Sequence, residues 1–254
     1  METKISTIKE IFAKSPDDEL NGLIEEYSSD ERDSVKKIIR SALTRIEKLK
    51  AERARLEVMK FFENKYGECE LICGIDEAGR GPLAGPVCAG AVILKKDIEI
   101  LYLNDSKKLS AKKRDELFDK IKELSLACSV GLSDNKRIDE INILNATYEA
   151  MKKAIEGLGK RPDILLNDYV RIPGVDIKQV SITHGDAQSV SIAAASIMAK
   201  VTRDRIMDEY EKEFPGYGFS QNKGYGTQQH IDAIREKGLT PIHRLSFVGN
   251  LIKT

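Results

Sequence analysis

Two rhythms of apolar and polar residues divide this chain. Over residues 1–66 the apolar positions recur at helical spacing, most clearly at Val35, Ile38, Ile39, Ala42, Leu43, Ile46 and Leu49. That spacing gives an amphipathic helix one apolar stripe. Two start signals precede it. Ser15-Pro16-Asp17-Asp18 sets a capping serine, a first-turn proline and acidic residues ahead of Leu20, Leu23 and Ile24. Ser28 and Glu31 have capping-box spacing, which predicts that a long helix begins there. Tyr66-Gly67 is the expected end of this helical module. From residue 71 short apolar runs alternate with helical ones. Strands are expected over 71–76, 87–94, 127–133, 163–167 and 177–183. Helices are expected over 111–124 (capped by Ser110), 138–157, 189–213 and 228–237. The early strands follow one another, and the later ones are separated by helices. This predicts an α/β domain over residues 70–254, a mixed β-sheet flanked by helices with a helical C-terminal region. The helical module 1–66 is an N-terminal extension to it.

Composition changes the picture only locally. The 254 residues are 41% hydrophobic and 32% charged with zero formal net charge, so no global field attracts nucleic acid. Residues 36–60, however, hold nine Lys or Arg against three Glu. That segment is either a solvated helix face or a nucleic-acid contact. Cys69, Cys73, Cys88 and Cys128 lack metal-site spacing and read as free thiols, and the three histidines are scattered. No apolar run is long enough to cross a bilayer and no secretory segment opens the chain. A cytoplasmic protein with no membrane role is expected.

The chemistry lies at strand ends. Gly74-Ile75-Asp76-Glu77-Ala78-Gly79-Arg80-Gly81-Pro82 follows the apolar run Leu71-Ile72-Cys73. Adjacent carboxylates there are costly unless a cation or solvent compensates them. Glycines beside them let backbone approach a ligand closely. Asp168 closes Ile164-Leu165-Leu166-Asn167, and Asp186 follows Val180 to Gly185, before a helix rich in alanine. Each aspartate alone reads first as a cap or turn residue rather than as a ligand. Together with Asp76 and Glu77 they place four carboxylates at core strand ends, on the sheet edge where α/β sites form. Oxygen-only ligation selects Mg²⁺ or Mn²⁺ over zinc. Two such ions activate a water and stabilise a leaving phosphodiester oxygen. Without a Gly-x4-Gly-Lys-Ser/Thr loop, a P-loop hydrolase is disfavoured.

At this point the chain resembles a known family, ribonuclease HII, the bacterial type 2 ribonuclease H. The resemblance rests on the Asp76-Glu77-Ala-Gly79-Arg80-Gly81 stretch, on Asn104-Asp105-Ser106-Lys107-Lys108-Leu109 and on Leu-Leu-Asn-Asp168. It continues in Gly185-Asp186 with the following helix to Lys200-Val-Thr-Arg-Asp, and in Asn222-Lys223-Gly224-Tyr225-Gly226-Thr227. It runs over roughly residues 70–245 without a break. It implies a ribonuclease H-like fold, with Asp76, Glu77, Asp168 and Asp186 as catalytic and metal-binding carboxylates. It also implies that Gly79, Arg80 and Gly81 read the ribose 2′-hydroxyl, the group that distinguishes RNA from DNA. Tyr225 resembles the family tyrosine that stacks near the RNA–DNA junction. Ser106, Lys107 and Lys108 look like phosphate contacts. Lys200, Arg203 and Arg205 are read as ion-pair partners of Asp204, Asp208 and Glu209 rather than as site residues.

The implied function is an endoribonuclease that hydrolyses the RNA strand of RNA–DNA hybrids and cuts at ribonucleotides embedded in duplex DNA. It would act as a monomer, use Mg²⁺ or Mn²⁺, and leave 3′-hydroxyl and 5′-phosphate ends. Another two-metal nuclease on this fold, or a non-catalytic hybrid-binding protein, is the alternative. Two departures from the family pattern stand out. Asn167 precedes the third aspartate where an apolar residue is common, and His184 stands where lysine commonly precedes Gly-Asp.

Overall fold

The computed structural model describes residues 3–249. They separate into two compact units, the first ending at Glu57 and the second beginning at Val58. The first unit is helical: α1 (Ile5–Lys14), α2 (Leu20–Glu26) and most of α3 (Asp33–Met59). Ile8, Phe12, Leu20, Val35 and Ala42 form its core, while Leu43, included in the sequence-predicted stripe, is largely exposed.

The predicted capping box does not form. The Ser28 hydroxyl donates to the Glu25 carbonyl at 2.7 Å, extending the end of α2. Asp30 then accepts the Arg32 backbone N–H at 3.0 Å and its Nε at 2.9 Å. This local side-chain turn competes with helix geometry and delays α3 to Asp33.

The second unit opens with α4 (Phe61–Lys65) and continues through β1 (Ile72–Ala78), β2 (Val87–Leu94), α5 (Ala111–Leu124) and β3 (Ser125–Ser133). Then follow α6 (Asn135–Glu156), β4 (Ile164–Asp168), β5 (Lys178–Ile182), α7 (Val190–Glu213), α8 (Phe219–Asn222), α9 (Gln228–Lys237) and α10 (Leu245–Val248). Side-chain caps start the long helices: Ser110 accepts from Lys113 N–H, Asp134 from Arg137, Ser189 from Ile192 and Thr227 from His230. The sheet order is β3-β2-β1-β4-β5. β1 pairs antiparallel with β2 but parallel with β4, and β4 is parallel to β5. This is the mixed sheet flanked by helices that the alternating pattern predicts.

Two glycines set how closely α7 lies on this sheet. A Cβ at Gly74 of β1 would fall 2.1 Å from the Ser191 backbone carbon, and one at Gly90 of β2 would fall 2.2 Å from the Ala195 carbonyl oxygen. Both are far inside contact distance, so only glycine permits this approach. The facing positions Ala193, Ala194 and Ala195 are buried and small. On another face of the sheet, α6 packs with Cys73, Ile75, Ala89, Ala91 and Leu165 into one core cluster. Among the described residues no helix is long and apolar enough to cross a membrane.

Candidate active site

Parallel pairing brings the carboxylates together. Ile75 of β1 is opposite Asn167 of β4, so Asp76 and Asp168 are the next residues on neighbouring strands. The 3₁₀ turn Gly185–Ala187 follows β5 and delivers Asp186 beside them. Oxygen atoms of Asp76, Asp168 and Asp186 all lie within 4.8 Å of one another. Asp76 and Asp186 are buried. The Gly185 N–H donates to Asp168 Oδ1 at 2.7 Å. Asp76 Oδ1 accepts the Glu77 N–H at 2.7 Å, and the Ser196 hydroxyl of α7 hydrogen-bonds Asp76.

Burial and like charge oppose ionisation here. Burial, then the neighbouring charges of Glu77 and Asp168, hold Asp76 well above the ordinary carboxylate range. Glu77 is raised by burial, with the nearby Arg80 guanidinium working against that rise. Asp186 is pushed up to about 6 by burial, by the Asp105 and Asp168 charges, and by a hydrogen bond shared with the Asp105 carboxyl. Lys107 is the local counter-charge: burial opposes its protonation, but Asp105, Asp186, Asp76 and Asp168 outweigh it and raise its pKa. Glu77 Oε2 is buried without a hydrogen-bond partner. Three converging carboxylates, a fourth with one orphaned oxygen and no soft ligand fit a hard divalent cation.

Next to the trio a cleft of about 360 Å³ is lined by Glu77, Gly79, Arg80, Gly81, Lys107 and Tyr225, with Ser106 also on its wall. Gly79 has φ +93°. Arg80 Nη1 reaches Glu77 Oε1 at 3.4 Å. Tyr225 is 46% exposed, and its Cε1 is 3.7 Å from where a Gly81 Cβ would stand. Ser106 is buried with its hydroxyl 2.8 Å from Ser196 Oγ, so it props the serine that holds Asp76. Lys107 and Lys108 are exposed. Asn167 is buried, and its amide donates to Gln179 Oε1 at 2.9 Å. His184 is exposed, in left-handed backbone with φ 55°.

Several positioning groups escape the sequence reading. Asp105 and Ser196 sit within the family-like motifs but carry no sequence signal of their own. Arg203 does not pair with Asp204, which is bound instead by Lys200 at 2.6 Å. Arg203 is buried and donates to the carbonyls of Pro86 (2.9 Å), Lys223 (2.8 Å) and Ala84 (3.1 Å). Arg205 pairs with Asp115 at 2.9 Å. Arg244, also buried, donates to the carbonyls of Gly79 (2.6 Å), Arg80 (2.9 Å), Gly85 (2.9 Å) and Pro86 (3.2 Å). Burial, and then Arg203, push its pKa down to about 9. Two buried guanidiniums thus clamp the glycine loop by its carbonyl oxygens.

A mixed five-stranded sheet carrying an oxygen-only carboxylate cluster defines the chain as a metal-dependent nuclease of the ribonuclease H fold. Residues 73–249 match the family model for ribonuclease HII, and residues 4–67 match that for the ribonuclease HII N-terminal domain. The chain belongs to the ribonuclease HII family, whose members are endoribonucleases acting on RNA–DNA hybrids. It is 55% identical over 251 residues to ribonuclease HII of Lachnoclostridium phytofermentans, covering 99% of each chain. It is 52% identical over 250 residues to that of Clostridioides difficile, covering 98% of each. Among solved structures it is similar to ribonuclease H2 of Pyrococcus horikoshii, at TM-score 0.60 and 25% identity over 72% of this chain and 97% of that one. Ribonuclease HII of Archaeoglobus fulgidus, solved in complex with PCNA, matches at TM-score 0.59 with the same identity and coverage.

Proposed function

We propose that this enzyme cuts the RNA strand of RNA–DNA hybrids and incises duplex DNA at embedded ribonucleotides, leaving 3′-hydroxyl and 5′-phosphate ends. The observation that carries the reading is the convergence of Asp76, Asp168 and Asp186 within 4.8 Å beside the unpartnered Glu77 oxygen. These four carboxylates would hold two Mg²⁺ or Mn²⁺ ions. When bound, such ions lower the pKa of a water and stabilise the leaving oxygen of a phosphodiester.

This chain's own residues do the rest. Lys107 offsets the carboxylate charge and lies on the cleft where a phosphate would sit. Ser106 and Ser196 hold Asp76 in place. The Gly79-Arg80-Gly81 turn, its Gly79 and Arg80 carbonyls held by Arg244, offers backbone to a ribose 2′-hydroxyl at close range. Tyr225, exposed at the cleft mouth, stacks on the nucleotide at the RNA–DNA junction. All four carboxylates come from one chain, which supports a monomer. Four free thiols support a reducing, cytoplasmic setting. The N-terminal unit, with Lys36, Lys37, Arg40, Lys48 and Lys50 exposed on α3, adds affinity for the duplex.

The test is cleavage, with Mg²⁺ and with Mn²⁺, of a DNA duplex carrying one ribonucleotide beside its all-DNA twin. Cutting only the first supports the reading. Cutting both points to a different nuclease, and cutting neither while binding both points to a hybrid-binding protein.

A further inference from the structure

Behind Tyr225 lies a pair of histidines that the proposed chemistry does not use. His230 of α9 and His243, just before α10, are both buried, with their Nε2 atoms 3.0 Å apart. Donor and acceptor accounting fixes the protons. The Thr240 N–H donates to His243 Nδ1 at 2.9 Å, so that nitrogen carries no hydrogen. Nδ1 of His230 faces the Tyr225 carbonyl at 2.9 Å, and a carbonyl only accepts, so that nitrogen is protonated. With both rings neutral, His243 Nε2–H donates to His230 Nε2, and the chain runs one way from Thr240 to Tyr225. Burial pushes His230 down, and burial together with His230 pushes His243 down to about 4, so both rings are neutral at physiological pH.

One end of this hydrogen-bonded series stops at the cleft residue Tyr225, and the other adjoins the residues that hold the opposite wall. His243 is bridged to Ala84, Gly85 N–H donates to the Ile242 carbonyl at 2.9 Å, and the next residue, Arg244, clamps Gly79 and Arg80. At the other end, the Tyr225 carbonyl also accepts the Thr227 N–H at 2.8 Å, a three-residue turn that bends the chain without tying it to the core. The rings are wedged against the stacked pair Tyr217 and Phe219, with His230 edge-on to Phe219 at 5.2 Å. Apolar side chains would fill that space equally well. What they would lack is a donor aimed at the carbonyl of an exposed cleft tyrosine.

We propose that the His243–His230 pair is a positioning device that holds Tyr225 at a set distance from the Gly79–Gly81 turn. This rests on the reading of Tyr225 as a stacking residue. His230→Phe keeps the ring and its edge contacts but removes the donor. It lowers kcat/KM on a single-ribonucleotide duplex by about five- to tenfold, the effect of one neutral hydrogen bond. His230→Asn places an amide where Nδ1 stood and restores most of that activity. Tyr225→Ala combined with His230→Phe is no worse than Tyr225→Ala alone, because the histidine acts through the tyrosine.

An additive double variant overturns the proposal, as does a His230→Asn protein that melts like the parent but cleaves no better than His230→Phe. If His230→Phe does not fold, His243→Asn serves. It keeps an acceptor for Thr240 and removes the Nε2–H. A similar fall in activity supports the relay, and parental activity overturns it. Nitrogen NMR of the folded full chain reads the tautomers directly: opposite tautomers for the two rings support the relay, and like tautomers overturn it. Parental cleavage by Tyr225→Ala removes the stacking reading and this proposal with it. A deficient Tyr225→Ala beside a fully active His230→Phe overturns the relay alone.

Discussion

The Asp168 carboxylate accepts the Gly185 backbone N–H at 2.7 Å, so the strand that carries one carboxylate also fixes the turn that carries the next. Charge and geometry are therefore separable at this position. Asp168→Asn keeps an oxygen for Gly185 and loses the charge, whereas Asp168→Ala loses both. Cleavage should fall in both variants by roughly a hundred- to a thousandfold, the range for removing one electrostatic group at a reacting centre. Only the alanine variant should also melt lower than the parent. Hybrid binding should largely survive, because phosphate and ribose contacts lie elsewhere. Near-parental turnover by Asp168→Asn, Asp76→Asn or Asp186→Asn would remove that residue from the site.

Crowded carboxylates also make a stability prediction. The folded protein holds Asp186 at about 6, above its unfolded value of about 4. Ionising it therefore works against folding. The stability present below about pH 4 is lost as the pH rises through 6. Metal-free Asp186→Asn should melt with the parent near pH 4 and above it at pH 8. A carboxyl held two pH units high costs about 2.7 kcal/mol at neutral pH, or about 5–11 °C of Tm in a protein of this size. Adding Mn²⁺ at pH 8 should raise the parent's Tm more than the variant's. Thermal melts across pH 4–8, with and without metal, check both statements.

Ribose recognition is tested on the substrate as well as the enzyme. A 2′-deoxy substitution at the target nucleotide should abolish cutting. Tyr225→Ala should slow incision of a single embedded ribonucleotide by the roughly 1–3 kcal/mol that a stacking contact contributes. Steady-state kinetics on matched duplexes measures both.

The helical unit at the start of the chain makes a separate prediction. Deleting residues 1–57 leaves Glu63, which accepts from the Ser189 hydroxyl at 2.5 Å and from the Ser191 N–H at 3.0 Å at the start of α7. The shortened protein should bind duplex more weakly, with a flatter salt dependence and little change in kcat. The slope of log K against log salt should shrink by roughly 0.9 for every phosphate that the basic helix neutralises in the full chain. Unchanged affinity and slope would assign the basic residues of α3 to solvent.

The sheet, its order of elements and the long helices were legible because strand and helix periods differ and each persists over many residues. The carboxylates were legible because ionisable residues at the ends of apolar runs are costly without a purpose. Ser28 and Glu31 misled because a capping box is a local signal, and the Asp30–Arg32 turn beside it is stronger. Arg203 and Arg244 were opaque for another reason. Their partners are backbone carbonyls, which every residue carries, so no complementary acid in the sequence marks them. His230 and His243 are thirteen residues apart and meet only through the fold.

Gly74 and Gly90 touch no reacting group, yet through them α7 sets Ser196 against Asp76. A random screen for inactive variants should recover substitutions at these two positions as readily as at the aspartates, and conservative ones as readily as drastic ones. Alanine, the mildest change available elsewhere on the sheet, already places an atom 2.1 Å from the Ser191 backbone at position 74. Any change in the spacing between sheet and helix is therefore also a change in where Asp76 is held.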